Sequence, residues 1–286
     1  MALSRSRSLL LRTVATGGYV LFGYVAVAFV LYEFAGPFGL LLALPPLALL
    51  LALLVFGPSL TLSGVDAVRV DHDDRPTLLA AVDRLARQAD VPTPAVAVVD
   101  DAEANAFTVG SGSGATLCVT TGLSDALSGD ELEAVLAHEL VHAVHWDSVV
   151  LSVVAFPLLS GRTMFDAAVD VGSQSLYGAV FGLVFVLPLS IAAMALSAPA
   201  VYLLTHTREF AADRGASVLT GNPAALASAL RSLDGHEPQD EDLRTLGTAS
   251  AFCIVPPVSG VLPWTHPPTE KRVERLRQRE RETETS

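Results

Sequence analysis

Residues 128–147 read SGDELEAVLAHELVHAVHWD, and this stretch has the marks of a single helix with a defined start and a functional face. Ser128 followed three residues later by Glu131 is a capping box, and Asp130, Glu131 and Glu133 put negative charge into the first turns, where the helix dipole favours it. His138 and His142 are four apart, so they project from one face a turn apart and can reach one ion. Glu139 lies beside that face, able to touch a water on the ion without ligating it. Val135, Leu136, Leu140 and Val141 are apolar positions that can bury the helix while the histidines face a cleft.

His-Glu-x-x-His on a helix is the arrangement of zinc hydrolases, in which the histidines hold Zn²⁺ and the glutamate is the general base. One zinc ion per chain is the expected cofactor.

Around this helix the chain of 286 residues is too apolar for an ordinary soluble protein, with 51% hydrophobic residues. The excess is localised. Residues 13–32 and 34–65 carry no charge, and each run is long enough to cross a bilayer core, which needs about 20 residues. Arg5, Arg7 and Arg12 precede the first run, the turn around Glu33 has no basic residue, and Arg69 and Arg75 follow the second. The positive-inside bias therefore places both ends of this hairpin in the cytoplasm.

Beyond residue 60 stand 15 basic and 29 acidic residues, which makes nucleic acid an unsuitable partner. Lys271 is the sole lysine, and an acidic, arginine-preferring surface suits a high-salt cytoplasm. Cys118 and Cys253 stand alone, so neither a disulfide framework nor a cysteine zinc site is indicated.

Between the hairpin and the histidine helix, residues 66–70 alternate like a short strand, and 76–89 reads as an amphipathic helix with Leu78, Leu79, Val82, Leu85 and Ala86 inward. Three β candidates follow at 95–99, 105–109 and 116–120, the last two separated by the glycine-serine turn at 110–114. After Asp147, residues 148–161 and 171–205 are uncharged. If a third metal ligand lies beyond 205, the chain must return to the side of the histidines, so it crosses an even number of times. Two crossings fit, at about 148–164 and 176–204; Pro157 interrupts the first, which could dip rather than span, while Pro188 and Pro199 predict kinks in the second.

The division expected is a membrane hairpin over 1–62, a catalytic region with small sheet and zinc helix over 63–147, an inserted membrane hairpin over 148–205, and a third-ligand helix with the rest of the catalytic region over 206–286. The fold class is α+β, predominantly helical: a polytopic membrane protein with about four membrane helices and a zincin-like catalytic domain.

Where the long apolar run ends, TREFAAD (207–213) places Glu209 and Asp213 four apart on one face, a carboxylate ligand and a second acid able to hydrogen-bond a ligating histidine. With AEANAFTVG (102–110), the histidine helix, TREFAADRGA (207–216), AFCIVPP (251–257) and THPPTEKRVERL (265–276) in this order, the chain resembles the HtpX-type membrane metalloproteases and the related CAAX prenyl endopeptidases. The resemblance implies zinc ligands His138, His142 and Glu209, general base Glu139, and Asp213 as the acid behind the ligands. It also implies a substrate platform along Asn105, Ala106, Phe107 and Thr108 at the edge of the small sheet. His206 stands where many relatives have arginine and is read as a helix-end residue. His266, at the head of a C-terminal amphipathic helix, is read either as a substrate or transition-state contact or as a structural residue.

The implied activity is zinc-dependent endopeptidase action at the cytoplasmic face of the cell membrane on polypeptides, membrane proteins among them, as quality control. Two alternatives belong beside it. A site-2-type intramembrane protease would use an aspartate in a Leu-Asp-Gly element, and Leu233-Asp234-Gly235 is one, but HEPQDED follows it and the metal helix opens with acids. A non-catalytic zinc-stabilised scaffold would have no use for Glu139.

Overall fold

The computed structural model describes residues 7–234 and 266–284. Of the segments singled out above, AFCIVPP with Cys253, Gly235 and the residues that follow it lie outside the described residues. The elements are α1 (Arg7–Ala35), α2 (Pro37–Gly64), β1 (Val68–Arg69), α3 (Pro76–Ala89), β2 (Ala95–Val99), β3 (Ala106–Val109), β4 (Thr116–Thr120), α4 (Thr121–Ala126), α5 (Gly129–His145), α6 (Asp147–Gln174), α7 (Leu176–Phe181), α8 (Leu187–Thr220), α9 (Pro223–Asp234) and α10 (Thr269–Glu284). The class is the expected one: predominantly helical α+β, with one small sheet.

The chain divides into two compact units. One holds Leu10–Val55 and Val150–Leu204, and is built from the apolar helices. Four stretches are long and apolar enough to cross a membrane: Thr13–Val30, Leu44–Gly64, Asp147–Gln174 and Leu176–Thr220. Large apolar side chains such as Phe22, Phe38, Val55, Tyr177 and Leu183 are exposed on this unit's helices, as suits contact with lipid rather than water. Inside it α6 and α8 approach closely at Gly161, where an added Cβ would stand 3.0 Å from the carbonyl oxygen of Ser190. Small residues at such crossings let apolar helices pack without a hydrophobic driving force between them. α6 runs unbroken through Pro157, where an interruption was expected, and a π-helical turn at Gly182–Val186 precedes Pro188. At 1.5 Å per residue, the 45 residues from Leu176 to Thr220 reach about 68 Å, over twice a hydrocarbon core of about 30 Å. The polar end of α8 therefore extends well past any crossing.

The other unit holds the described residues up to Leu9, Phe56–Val149 and the described residues from Thr205 onward. Its four strands form a mixed sheet in the order β1-β2-β4-β3, with β2 and β4 parallel and both flanking pairings antiparallel. Strand alternation sends Val96, Ala106, Leu117 and Val119 to one face, where they join Leu85 of α3, Leu136 and Leu140 of α5, Leu226 and Leu230 of α9, and Leu276 of α10 in the main core. The opposite face, Ala97, Val99, Phe107, Val109 and Cys118, packs with Val65 at the end of α2.

α5 starts as its sequence dictates. The Ser128 hydroxyl accepts from Glu131 N–H, and the Glu131 carboxylate accepts from Ser128 N–H at 2.9 Å, closing both halves of the capping box. It ends where Trp146 enters the left-handed region at φ 61°, and α6 begins at the next residue. That turn folds Asp147 back towards the helix it has just left.

Candidate active site

α5 and α8 bring the three expected metal ligands together. Ligand atoms of His138, His142 and Glu209 all lie within 4.8 Å of one another. The two Nε2 atoms are 3.0 Å apart, and each is 3.6 Å from an oxygen of Glu209. Both Nδ1 atoms face carboxylates: His138 meets Asp213 at 3.1 Å and His142 meets Asp147 at 2.5 Å. With the Nδ1 proton assigned to the carboxylate side of each ring, each Nε2 presents a lone pair, and the two lone pairs converge. That arrangement requires a cation or a shared proton between them. For a tetrahedral zinc with bonds of 2.0–2.1 Å, donors stand about 3.3–3.4 Å apart, between the separations seen here.

The buried charges point to the same occupant. Glu139, Asp147, Glu209 and Asp213 are each no more than 6% exposed, and Arg208 and Arg272, each 2% exposed, oppose them. Four carboxylates against two guanidiniums leave two negative charges, which one divalent ion with neutral imidazoles cancels. Without metal, protonation serves instead. Burial raises the Glu139 carboxyl above its ordinary value against the lowering pull of both histidines and Thr108. Burial alone would lower His142, but Asp147, Glu209 and Glu139 outweigh it and raise it to about 9. Burial also works to lower Arg272, and Asp213, Glu209 and Glu139 raise it.

Glu139 lies on α5 beneath β3. The Thr108 hydroxyl is 2.9 Å from Glu139 Oε2 and 3.0 Å from its backbone oxygen, so one side of the carboxylate is held. Oε1 is buried with no hydrogen-bond partner among the described residues. Among the described residues β3 is the sheet's edge, as expected, although its side chains are buried. Thr120 N–H donates to the Asn105 carbonyl at 3.0 Å, so residues 105, 107 and 109 turn their backbone groups to β4, and Ala106 and Thr108 turn theirs to the open edge. Ser148 covers part of that edge by donating to the Thr108 carbonyl at 3.2 Å. The Asn105 side-chain amide is fully buried and has no hydrogen-bond partner among the described residues. His266 is buried, with Nδ1 3.4 Å from Glu209. His206 and Asp234 are not in the metal-ligand cluster found among the described residues.

Three site residues have no role in the sequence reading. Asp147 sits five residues after His142, beyond a helix end, where no periodicity applies. Arg208 adjoins Glu209 and pairs with Asp147. Arg272 falls on the same side of α10 as Val273 and Leu276; a charge set into an apolar stripe is the signal that a buried partner waits elsewhere.

A family model described as peptidase family M48 matches residues 73–280. The chain is 38% identical over 226 residues to protease HtpX homolog 2 of Methanosarcina mazei, covering 74% of this chain and 76% of that protein. It is 40% identical over 217 residues to the protease HtpX homolog of Acidiphilium cryptum, covering 71% and 73%. To the HtpX homolog of Pyrococcus abyssi it is 38% identical over 239 residues, covering 78% and 80%. The crystal structure of S. mikatae Ste24p has a similar fold, with a TM-score of 0.50 at 16% identity over 95% of this chain; the match spans 66% of the length of that protein.

Proposed function

Since this chain belongs to peptidase family M48, we propose that it is a zinc-dependent membrane endopeptidase whose ligands are His138, His142 and Glu209 and whose general base is Glu139. The single observation that carries the reading is the convergence of the two Nε2 lone pairs and the Glu209 carboxylate beside a second, non-ligating glutamate. Zinc held there supplies Lewis acidity, bringing the pKa of a water down to about 7 and polarising the scissile carbonyl. Glu139 takes the proton of the attacking water on Oε1 while Thr108 holds Oε2, and it then hands the proton to the leaving amine. No covalent bond to the protein forms. Ala106 and Thr108 align an extended peptide as an added strand, and the Asn105 amide and His266 bind the substrate or the developing oxyanion.

The substrates are polypeptides, including membrane proteins cleaved on the cytoplasmic side in quality control. The arginines before the first span and the even number of crossings support that side.

Zinc content and casein hydrolysis of detergent-purified protein test the reading. Glu139→Ala is expected to keep its zinc and lose hydrolysis by at least about 100-fold, the low end of general-base contributions. Glu209→Ala is expected to lose both. Near-normal turnover in Glu139→Ala would remove the general-base assignment, and full zinc occupancy of Glu209→Ala at limiting metal would remove the third ligand.

A further inference from the structure

We propose that Arg208 and Arg272 are positioning residues of the metal site, each acting through the carboxylate that orients one histidine. The proposal rests on the zinc reading above. The two arms are built alike. In the first, Arg208 pairs with Asp147 Oδ1 and donates to the His145 carbonyl at 2.7 Å, while Asp147 Oδ2 accepts from His142 Nδ1. In the second, Arg272 grips Asp213 with two donors, Nε at 3.0 Å and Nη2 at 2.6 Å, and Asp213 Oδ1 meets His138 Nδ1 at 3.1 Å.

A carboxylate without its guanidinium loses the donors that fix its plane, and its rotation frees the imidazole. The guanidinium, two-pronged in the second arm, fixes the carboxylate against Nδ1, so that the ring keeps its Nε2 turned to the metal side. The arms also differ: Arg208 meets Asp147 at Oδ1, whereas Arg272 takes both oxygens of Asp213 and its Nη2 stands 3.4 Å from His138 Nε2. Arg272 Nη1 is also 3.1 Å from Glu209 Oε2, so this residue of α10 steadies the third ligand as well as the orienting aspartate. Its loss should therefore cost more than the loss of Arg208.

The test is zinc affinity of the full-length, detergent-solubilised protein, read by competition with a chromophoric chelator, beside the melting temperature of the zinc-free form. Wild type is measured first: failure to bind one zinc would sink the zinc reading, and this proposal with it, before any variant is made. Replacing an outer partner of a ligating histidine typically weakens metal binding about 10- to 100-fold. Arg208→Gln is expected near the lower figure and Arg272→Gln near the upper, with Arg272→Lys in between because it keeps the charge and loses the fork. Within the first arm, Arg208→Gln added to Asp147→Asn should cost little beyond Asp147→Asn alone; across arms, Arg208→Gln with Asp213→Asn should multiply the two losses.

Wild-type zinc affinity in the glutamine variants overturns the proposal. So do losses that multiply within an arm as fully as across arms, since a merely structural role predicts no such pairing. Should a glutamine variant fail to fold, the lysine variants carry the decision: a severalfold loss in folded protein supports positioning, and unchanged affinity overturns it.

Discussion

His142 shows how one side chain links metal, proton and stability. Raised to about 9 in the metal-free protein, it carries a proton at pH 7 that a zinc ion bound on the proposed ligands would displace. Apparent zinc affinity should therefore rise about tenfold per pH unit between 7 and 9 and flatten above, with close to one proton released per zinc at pH 7.5, measured by calorimetry in buffers of different ionisation enthalpy. Affinity independent of pH across that window would refute it. The folded value lies above the ordinary 6.5, so the stability this group lends the metal-free fold is complete below 6.5 and is lost as pH rises through 9. The melting temperature of the metal-free protein should fall over the same interval. At this scale the pairing of His138 with His142 on one face was legible, because four-residue spacing on a helix encodes a face; Asp147, the partner of His142, was not, because a left-handed turn at Trp146 sets its direction.

Two helices meet at Gly215, and the ligand geometry depends on that meeting. A Cβ there would stand 2.6 Å from Val141 Cγ2 of α5, so α8 could not lie as close to the histidine helix. Gly215→Ala should cost about 1–3 kcal/mol in a melting experiment and weaken zinc binding, since it pushes Glu209 away from the two histidines. A variant with wild-type melting and zinc affinity would show that the contact relaxes freely. On β3, Ala106 and Thr108 both direct backbone N–H to the open edge, and Thr108 also serves Glu139. Ala106→Pro is thus the cleaner probe of strand addition. It should raise KM or lower kcat/KM severalfold with zinc content and stability near wild type, and unchanged kinetics in folded protein would exclude β3 as the platform. The helix through Pro157 was expected to break and does not. A proline removes one backbone bond, and in an apolar setting no water competes for the rest.

For the whole molecule, the proposed ligand set implies through the parity of crossings that the region around Asp125 and the N-terminus share a side; the far turn, expected at 166–174, lies at Ser175, because α6 continues to Gln174. Single cysteines introduced into a cysteine-free background and labelled with an impermeant reagent in intact cells should react at Glu33 and Ser175 and stay protected at Asp125; labelling at Asp125 would contradict the assignment. The sequence by itself determined the elements and the chemistry that local order can carry. These are the apolar runs long enough to cross a bilayer, the capped α5 with its paired histidines, the 209/213 pair, and the strands at 95–99 and 116–120 that appear with the same bounds. Each is a matter of period, length or cap within one element. Only the tertiary structure decided which charges stand against which. Arg272 reaches Asp213 across 59 positions and His138 across 134, and Arg208 reaches His145 across 63. No periodicity spans such separations. What pairs these groups is the cost of burying a charge alone, and that cost exists only once helices distant in the chain have closed around the same dry space.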